Sequence, residues 1–326
     1  MNARTAIATT LAYTIMALGG SATANAETHE LRLVLQPYVS NAGFFIGLDR
    51  GYFKAEGIDI KVTRTRASGA ELIGGLISDK VDVLPTGLTI ATYNALLRGS
   101  DIKIIADKGG EKGDHSFTWM VVRKDLADSK RVKRLADLKG MRIGAPGVGT
   151  AYWIEAMMLL ESGGLKPNDV RMVKLNPPDT VASLTSGTID AAMLGEPFVS
   201  KVVSSGKAVT LAPGGQGGHF QAAVIMTTGA QIAKNREVLK RFLKAYMRAT
   251  REYAQDPKGA ANVEAIMKFT KLDRDVVMNV RTPYIDPKGH VQKEAIEREM
   301  NWLVAQKLLP RTIPVEQFVD NSLLEQ

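Results

Sequence analysis

The segment Leu76-Ile77-Ser78-Asp79-Lys80-Val81-Asp82 has a weak copy further along the chain, at Leu184-Thr185-Ser186-Gly187-Thr188-Ile189-Asp190. The two copies match at Leu, Ser and Asp, and a β-branched residue precedes each final Asp. Each copy continues through four residues to a glycine, Gly87 in the first and Gly195 in the second. Both have the pattern of a helix, a turn and a strand that ends at a glycine-containing loop. The repeat predicts two similar lobes, although common α/β units can also match by chance.

Outside this repeat, short apolar stretches alternate with helical ones along most of the chain. Strands separated by helices of roughly 10–15 residues are typical of βαβ units and of a parallel sheet. Glycine-rich segments at 108–115 and 214–218 interrupt the alternation and are predicted to be flexible connections between lobes. After a last strand at 222–226 the chain is mainly helical, and we expect it to return to the first lobe. The pattern predicts an α/β fold of two α/β lobes, joined by two crossovers, with a cleft between them.

The first 26 residues have the features of a signal peptide. Arg4 is the one charged residue before Glu27, an uncharged stretch follows it, and small residues end at Ala24-Asn25-Ala26. This order predicts cleavage after Ala26 and export to the periplasm, and no later stretch is apolar enough to anchor the chain. The predicted organisation is a signal peptide at 1–26, the first part of lobe one at 27–114, lobe two at 115–217, and the return to lobe one at 218–326.

The composition excludes several classes of function. The chain has no cysteine, which rules out disulfides, thiolate metal sites and thiol catalysis. Its net charge is +8, but the basic residues are scattered among acidic ones, unlike the basic patches of nucleic-acid-binding proteins. The histidines are not spaced as zinc ligands; they are His29, His115, His219 and His290. We therefore predict no cofactor, no metal site and no nucleic-acid partner.

A candidate ligand loop follows the strand predicted at 141–144. Gly147 and Gly149 allow the backbone to approach a ligand closely, and Thr150 can cap the apolar helix that comes next. A helix start with free N–H groups favours an anionic or electron-rich group. The alternative is a tight β–α turn with a good cap and no ligand.

Other predicted strand ends carry residues of the same kind. In open α/β sheets a ligand binds outside the carboxyl ends of the strands. Glu196 follows an apolar strand, and it either accepts a hydrogen bond from a ligand N–H or caps the helix after Pro197. The further candidates at strand ends are Gln36, Tyr38, Ser68, Gly69, Thr86, Gly87 and Glu111.

The stretch Gly51-Tyr52-Phe53-Lys54-Ala55-Glu56-Gly57-Ile58-Asp59-Ile60 resembles the "GYFxxEGLDV" stretch of solute-binding proteins of ABC importers. The branch concerned includes aliphatic-sulfonate-, taurine- and nitrate-binding proteins and binders of thiamine pyrimidine precursors. Three further stretches agree in the same order, at 81–87, 135–144 and 187–197. The resemblance covers about residues 30–255 and is strong for the family and weak for the ligand.

The resemblance implies a type II periplasmic-binding-protein fold whose lobes close on one ligand. It also implies delivery of that ligand to a membrane permease with a cytoplasmic ATPase. In some relatives an acidic residue at a position near that of Glu196 contacts an amino or ring N–H group of the ligand. The positions that the family uses for its ligand fall near Tyr38, Gly43, Phe44, Ser68, Gly69, Thr86, Gly87, Gly147, Gly149, Thr150, Ala151 and Glu196.

The sequence thus predicts a periplasmic binding protein of an ABC importer, acting as a monomer and without catalysis of its own. The expected ligand is a small organic anion or zwitterion, such as a sulfonate or a carboxylate. One alternative is a nitrogen heterocycle, such as a pyrimidine or a thiamine precursor. A second is a secreted enzyme of similar fold, for which Glu196 and Glu111 are the candidate reacting groups.

Overall fold

A computed structural model describes residues 28–65, 67, 69–112 and 115–325 of the chain. The predicted signal peptide, its cleavage site after Ala26 and the candidate ligand residue Ser68 lie outside the described residues. Among the described residues, no helix is both long and apolar enough to cross a membrane.

The strands are short and mostly buried. In chain order they are β1 (His29–Leu35), β2 (Ile58–Arg64), β3 (Leu84–Thr86), β4 (Ile102–Glu111), β5 (Thr118–Arg123), β6 (Arg142–Ala145), β7 (Arg171–Lys174), β8 (Ala191–Gly195), β9 (Ala208–Pro213) and β10 (Phe220–Thr228). The helices that connect and cover them are α1 (Ala42–Asp49), α2 (Tyr52–Ala55), α3 (Gly69–Ile77), α4 (Ile90–Leu97), α5 (Lys124–Asp128), α6 (Ala151–Ser162), α7 (Pro177–Ser186), α8 (Phe198–Ser204), α9 (Gly229–Gln255), α10 (Ala260–Thr270), α11 (Arg274–Asn279) and α12 (Lys293–Ala305).

The strands form two separate groups, one in each lobe. In the first lobe β10 lies between β3 and β4, and β1 pairs with β2, with a bridge from Leu33 to Val83 that links the two sheets. In the second lobe the strand order is β7-β6-β8-β5-β9. The chain crosses between the lobes after β4 and returns after β9. This topology confirms the predicted two-lobe α/β fold with two crossovers, while the residue-level domain boundaries stay a prediction.

The sheets are mixed, so the prediction of a parallel sheet holds for β1 with β2 and for β6 with β7 and β8, and is wrong for the other strand pairs. β10 runs antiparallel to β3 and β4, and β5 runs antiparallel to β8 and β9. Each of these two strands is the first after a crossover. Such a strand enters its lobe from the side where the other strands end, and it therefore runs against them.

The prediction of a flexible loop from residue 108 is wrong for residues 108–111. These residues continue β4, are buried and pair with β10 through a register with local shifts. Gly110 allows this pairing, because a Cβ atom at that position would overlap the carbonyl oxygen of Phe220. The second glycine-rich segment forms a 3₁₀ turn at Gly214–Gly217. In both places glycine serves close packing of the backbone.

The sequence repeat corresponds to a repeated ion pair. In the first lobe Asp82 accepts hydrogen bonds from the backbone N–H and the guanidinium of Arg32. In the second lobe Asp190 accepts the same set from Arg142. In each lobe the Asp precedes an inner strand and the Arg lies on or at the start of the neighbouring strand. The shared contact supports the reading that Leu76–Asp82 and Leu184–Asp190 are equivalent units.

Replacing Asp190 with asparagine is expected to lower the free energy of unfolding at pH 7 by about 1–3 kcal/mol, the usual contribution of hydrogen bonds to a charged group. The hydrogen bond from Arg142 lowers the pKa of the Asp190 carboxyl, and burial only partly opposes it. This stabilisation is therefore present above about pH 4 and is lost as the pH falls through the lowered pKa. Urea unfolding at pH 7 and pH 3 measures both effects.

The matched control is Asp128→Asn, because Asp128 forms an exposed pair with Lys124 on α5. Exposed pairs of this kind contribute about 0.3–0.5 kcal/mol. Equal losses for the Asp128 and Asp190 variants would contradict a structural role for the repeated pair.

Candidate functional site: the cleft between the lobes

The two lobes meet along a cleft whose walls are in contact. From the first lobe, the N–H of Ile90 at the start of α4 donates to the carbonyl oxygen of Gly149, with an N–O distance of 2.9 Å. Gly87 faces Ala151, since a Cβ atom added at Gly87 would lie 2.8 Å from the Cβ atom of Ala151. The residues after β3 thus lie against the start of α6.

Aromatic side chains meet at a second point of the cleft. The ring of Tyr38, which follows β1, meets the ring of Phe198 at the start of α8 edge-on, with centroids 6.2 Å apart. Tyr38 belongs to the first lobe and Phe198 to the second. The loop after β1 therefore forms part of the first-lobe wall of the cleft.

The loop that begins at Ala145 holds the start of α6 as the sequence predicts. Gly147 and Gly149 have φ values of 125° and 83°, which favour glycine. The hydroxyl of Thr150 accepts a hydrogen bond from the N–H of Trp153 at 3.3 Å and donates to the carbonyl of Gly147 at 2.9 Å. These contacts confirm Thr150 as the helix cap, while a role in ligand binding stays a prediction.

Tyr152 is the first large side chain of α6 at the cleft. Its hydroxyl covers Gly195 at the end of β8, where a Cβ atom would overlap it. Burial, and then the negative groups nearby, which include Glu155 and Glu111, raise the pKa of this hydroxyl well above its usual value. Tyr152 is therefore a hydrogen-bond donor at every physiological pH.

Glu196 is bound by its own lobe and by the C-terminal segment. The N–H and the hydroxyl of Ser200 donate to its carboxylate at 3.1 and 2.9 Å, so Glu196 caps the start of α8. The backbone N–H and the guanidinium of Arg281 also donate to it, at 3.2 and 3.3 Å. Burial raises the pKa of Glu196, and these hydrogen bonds act against that rise. Of the two predicted roles, the geometry supplies the helix cap.

Glu111 shares a buried hydroxyl with Glu155. The Oγ1 atom of Thr118 lies 2.9 Å from Glu111 Oε1 and 2.5 Å from Glu155 Oε1. One hydroxyl donates one proton, so one of the two carboxyls must itself be protonated to complete both hydrogen bonds. Burial raises the pKa of Glu111 to about 7 and that of Glu155 well above its usual value. This network joins β4, β5 and α6 at the crossover between the lobes.

The remaining first-lobe candidates lie in a tightly packed wall. Thr86 is buried at the end of β3. Its hydroxyl lies so close to Gly69 that a Cβ atom added at Gly69 would overlap it. The side-chain amide of Gln36 donates to the carbonyl of Ala67 at 2.7 Å. These contacts fix the loops after β1, β2 and β3 against each other.

Lys108 is a buried cation behind this wall that sequence reasoning missed. Lys108 lies on β4 and is 4% exposed, and its Nζ atom donates to the Ser40 hydroxyl at 3.3 Å. Burial lowers the pKa of Lys108 to about 7. A lysine within a glycine-rich stretch suggests a solvated loop, and only the continuation of β4 buries it.

Residues 39–260, more than half of the chain, match the model of the family described as NMT1/THI5 like. The chain belongs to the NMT1/THI5-like family. Among curated relatives of this NMT1/THI5-like protein, the taurine-binding periplasmic protein of Escherichia coli is 27% identical over 192 residues, which are 58% of this chain and 56% of the relative. The nitrate/nitrite-binding protein NrtA of Synechococcus elongatus is 26% identical over 278 residues, 78% of this chain and 61% of the relative. The chain thus spans little more than half the length of the first curated relatives that it matches.

Solved structures share the fold of this NMT1/THI5-like protein. The alkanesulfonate-binding protein SsuA of Xanthomonas axonopodis pv. citri, bound to MOPS, aligns with a TM-score of 0.73 at 20% identity and covers 90% of this chain and 99% of SsuA. The desulfurization enzyme DszB aligns with a TM-score of 0.62 at 16% identity and covers 91% of this chain and 97% of DszB. These likenesses confirm the predicted periplasmic-binding-protein fold.

Two residues predicted from the resemblance pack against α9 in the first lobe. Phe44 is fully buried and stacks on Tyr246 of α9 with ring centroids 4.5 Å apart. Gly43 also lies against α9, because a Cβ atom there would overlap the Thr250 hydroxyl. Both residues pack α1 onto α9, and a role for them as ligand contacts stays a prediction.

Proposed function

We propose that this chain is the substrate-binding component of an ABC importer and that it captures a small organic anion or zwitterion of the sulfonate or carboxylate class. The signal-like N-terminal residues support export, with the mature chain in the periplasm acting as a monomer. Delivery would be to a membrane permease with a cytoplasmic ATPase. Two relatives are named as binding proteins for taurine and for nitrate/nitrite, and these names support an anionic or zwitterionic ligand.

The observation that carries the proposal is the way in which the cleft is built. Loops at strand ends of both lobes face one another, with the start of α6 opposite the segment from Gly87 to Ile90. In α/β folds this is the position where ligands bind. Two lobes connected by crossover segments can close on a ligand and open again by hinge bending.

The charges in the cleft favour an anion over a cationic heterocycle. Glu196 is the acidic group expected to accept a ligand N–H, but Ser200 and Arg281 already donate to it. Its charge is therefore balanced without a ligand. Lys108, by contrast, forms no ion pair among the described residues.

The same contacts weigh against the enzyme alternative, although the fold is shared with the enzyme DszB. The two acidic groups that the alternative requires are Glu196 and Glu111. Glu111 is engaged by Ser116 and Thr118 and is 1% exposed. We therefore propose that the ligand leaves the cleft unchanged, which mass spectrometry of the recovered ligand can check.

A thermal-shift titration of the chain from Glu27 to Gln326 tests the ligand class. We expect butane-1-sulfonate, taurine or butyrate to raise the melting temperature, and cytosine to leave it unchanged. A ligand at about a hundred times its Kd adds about 2.7 kcal/mol of stability, or about 4 °C for a protein of this size. Sodium chloride at matched ionic strength is the control for general salt effects. A shift with cytosine alone would contradict the proposed anion class.

A further inference from the structure

The buried lysine of β4 has no fixed counter-ion. Lys108 is almost fully buried, and its ammonium donates to an uncharged group, the hydroxyl of Ser40, at 3.3 Å. Among the described residues it forms no ion pair. A buried charge without a partner is costly unless another group of opposite charge reaches it. This lysine can therefore accept an anion from outside the protein.

The position of Ser40 places this ammonium next to the cleft. Ser40 lies in the short turn Val39–Asn41, directly after Tyr38. The ring of Tyr38 contacts Phe198 of the second lobe. Asn41 adds a buried side-chain oxygen, Oδ1, without a hydrogen-bond partner. The turn thus brings incompletely satisfied polar groups to the wall that faces the second lobe.

The neighbouring acid on β4 is engaged elsewhere. Asp107 accepts hydrogen bonds from the backbone N–H groups of Gly109 and Asp286 and from the side chain of Gln221, at 2.7–2.8 Å. Burial lowers the pKa of Lys108, and the charge of Asp107 raises it by less than burial lowers it. Asp107 therefore does not neutralise the lysine.

Other titratable groups around β4 also have their own partners. The hydroxyl of Tyr246 on α9 donates to the carbonyl of Asp107, and Tyr284 contacts Lys112. Glu111 at the end of the strand is bound within the Thr118 network. An anion in the cleft would therefore be the main opposite charge for Lys108.

We propose that Lys108 and Ser40 bind the anionic head group of the ligand, a single sulfonate or carboxylate, and that Lys108 takes up a proton when the ligand binds at alkaline pH. This proposal rests on the proposed function and names the residue that selects the ligand's charge. Because burial lowers the pKa of Lys108 to about 7, the amine is mostly neutral at pH 8 before binding. A neighbouring anion favours its charged form.

Calorimetric titration with butane-1-sulfonate tests the proposal. The sulfonate does not titrate near neutral pH, so a proton taken up on binding must go to the protein. At each pH, titrations in two cationic buffers whose pKa values lie near that pH and whose heats of ionisation differ give the number of protons from the difference in heat. We expect close to one proton per ligand at pH 8 and about a tenth of a proton at pH 6.

The variant Lys108→Met is expected to bind butane-1-sulfonate about 10- to 100-fold more weakly at pH 6, because a hydrogen bond to a charged group is lost. It should take up no proton when it binds the ligand at pH 8. The control Lys103→Met lies on the same strand, where Lys103 donates to the Gln317 carbonyl, and should bind as the wild type does. If Lys108→Met does not fold, the buffer series on the wild type decides alone.

Binding without proton uptake at pH 8, or unchanged affinity in a folded Lys108→Met variant, would overturn this proposal and leave the proposed function standing. If the wild type binds none of butane-1-sulfonate, taurine and butyrate, both proposals fail together.

Discussion

Replacing Ala151 with leucine is expected to weaken binding of the ligand by about 100-fold or more. Ala151 begins α6 and faces Gly87 of the first lobe so closely that a Cβ atom at Gly87 would lie 2.8 Å from its own Cβ. A larger side chain at residue 151 therefore holds the lobes apart. If the closed state is populated at about 1%, the apparent affinity falls about 100-fold, which corresponds to roughly 2.7 kcal/mol of binding free energy. Calorimetry with butane-1-sulfonate measures the loss.

The matched control is Ser162→Leu at the exposed end of the same helix. It should bind the ligand as the wild type does. Both variants should melt within a few degrees of the wild type without ligand, since neither change lies in the core of a lobe. Normal affinity in the Ala151→Leu protein would contradict binding between closed lobes.

Raising the pH from 5 to 7 is expected to lower the free energy of unfolding, with Glu299 alone contributing about 3 kcal/mol. Glu299 on α12 is fully buried, and burial raises its pKa to about 8. A glutamate in the unfolded chain has a pKa near 4.3. Between these values the folded state keeps a proton that the unfolded state has released, so stability falls by about 1.4 kcal/mol per pH unit. Glu111 and Glu155 act in the same direction.

The variant Glu299→Gln separates this contribution from the others. Glutamine has nearly the shape of glutamate but does not titrate. The unfolding free energy of the variant should therefore fall less steeply with pH than that of the wild type, by about 1.4 kcal/mol per pH unit. Glu299 lies beside Tyr93 of α4, and burial raises the pKa of its carboxyl more strongly than Tyr93 lowers it. The control Glu297→Gln changes an exposed residue of the same helix. Urea unfolding measures the free energy of unfolding at each pH from 5 to 7. If this free energy changes equally with pH in the wild type and in Glu299→Gln, a protonated, buried Glu299 is contradicted.

The parts of the fold that the sequence predicts depend on local patterns. The sequence match between the segments that end at Asp82 and Asp190 indicates two equivalent units. In the structure each of these Asp residues binds an Arg of a neighbouring strand. Thr150 was predicted as a cap from its place between glycines and an apolar helix, and it is one. Such features need only residues that are close in the sequence or repeated in it.

The parts that the sequence did not predict depend on distant contacts. The carboxylate of Glu196 meets Arg281, which lies 85 residues further along the chain. The buried state of Lys108 follows from the pairing of β4 with β10. Tyr152 is one of several apolar or aromatic residues at the start of α6 in the sequence, yet it covers Gly195 in the cleft. No local pattern carries this information, because burial and charge balance are set by elements that meet only in the folded chain.

Small-angle X-ray scattering of the chain from Glu27 to Gln326, with and without saturating butane-1-sulfonate, tests most directly the proposal that two lobes close on an anion. Ile90 contacts Gly149 and Gly87 contacts Ala151 across the cleft, and we infer from these contacts that the structure is a closed form. We expect the bound protein to give the profile of this closed form, and the unbound protein to give a larger radius of gyration. The Ala151→Leu protein should keep the larger radius with or without ligand. Identical profiles for the free and saturated wild type would contradict a binding protein that works by closure of its lobes.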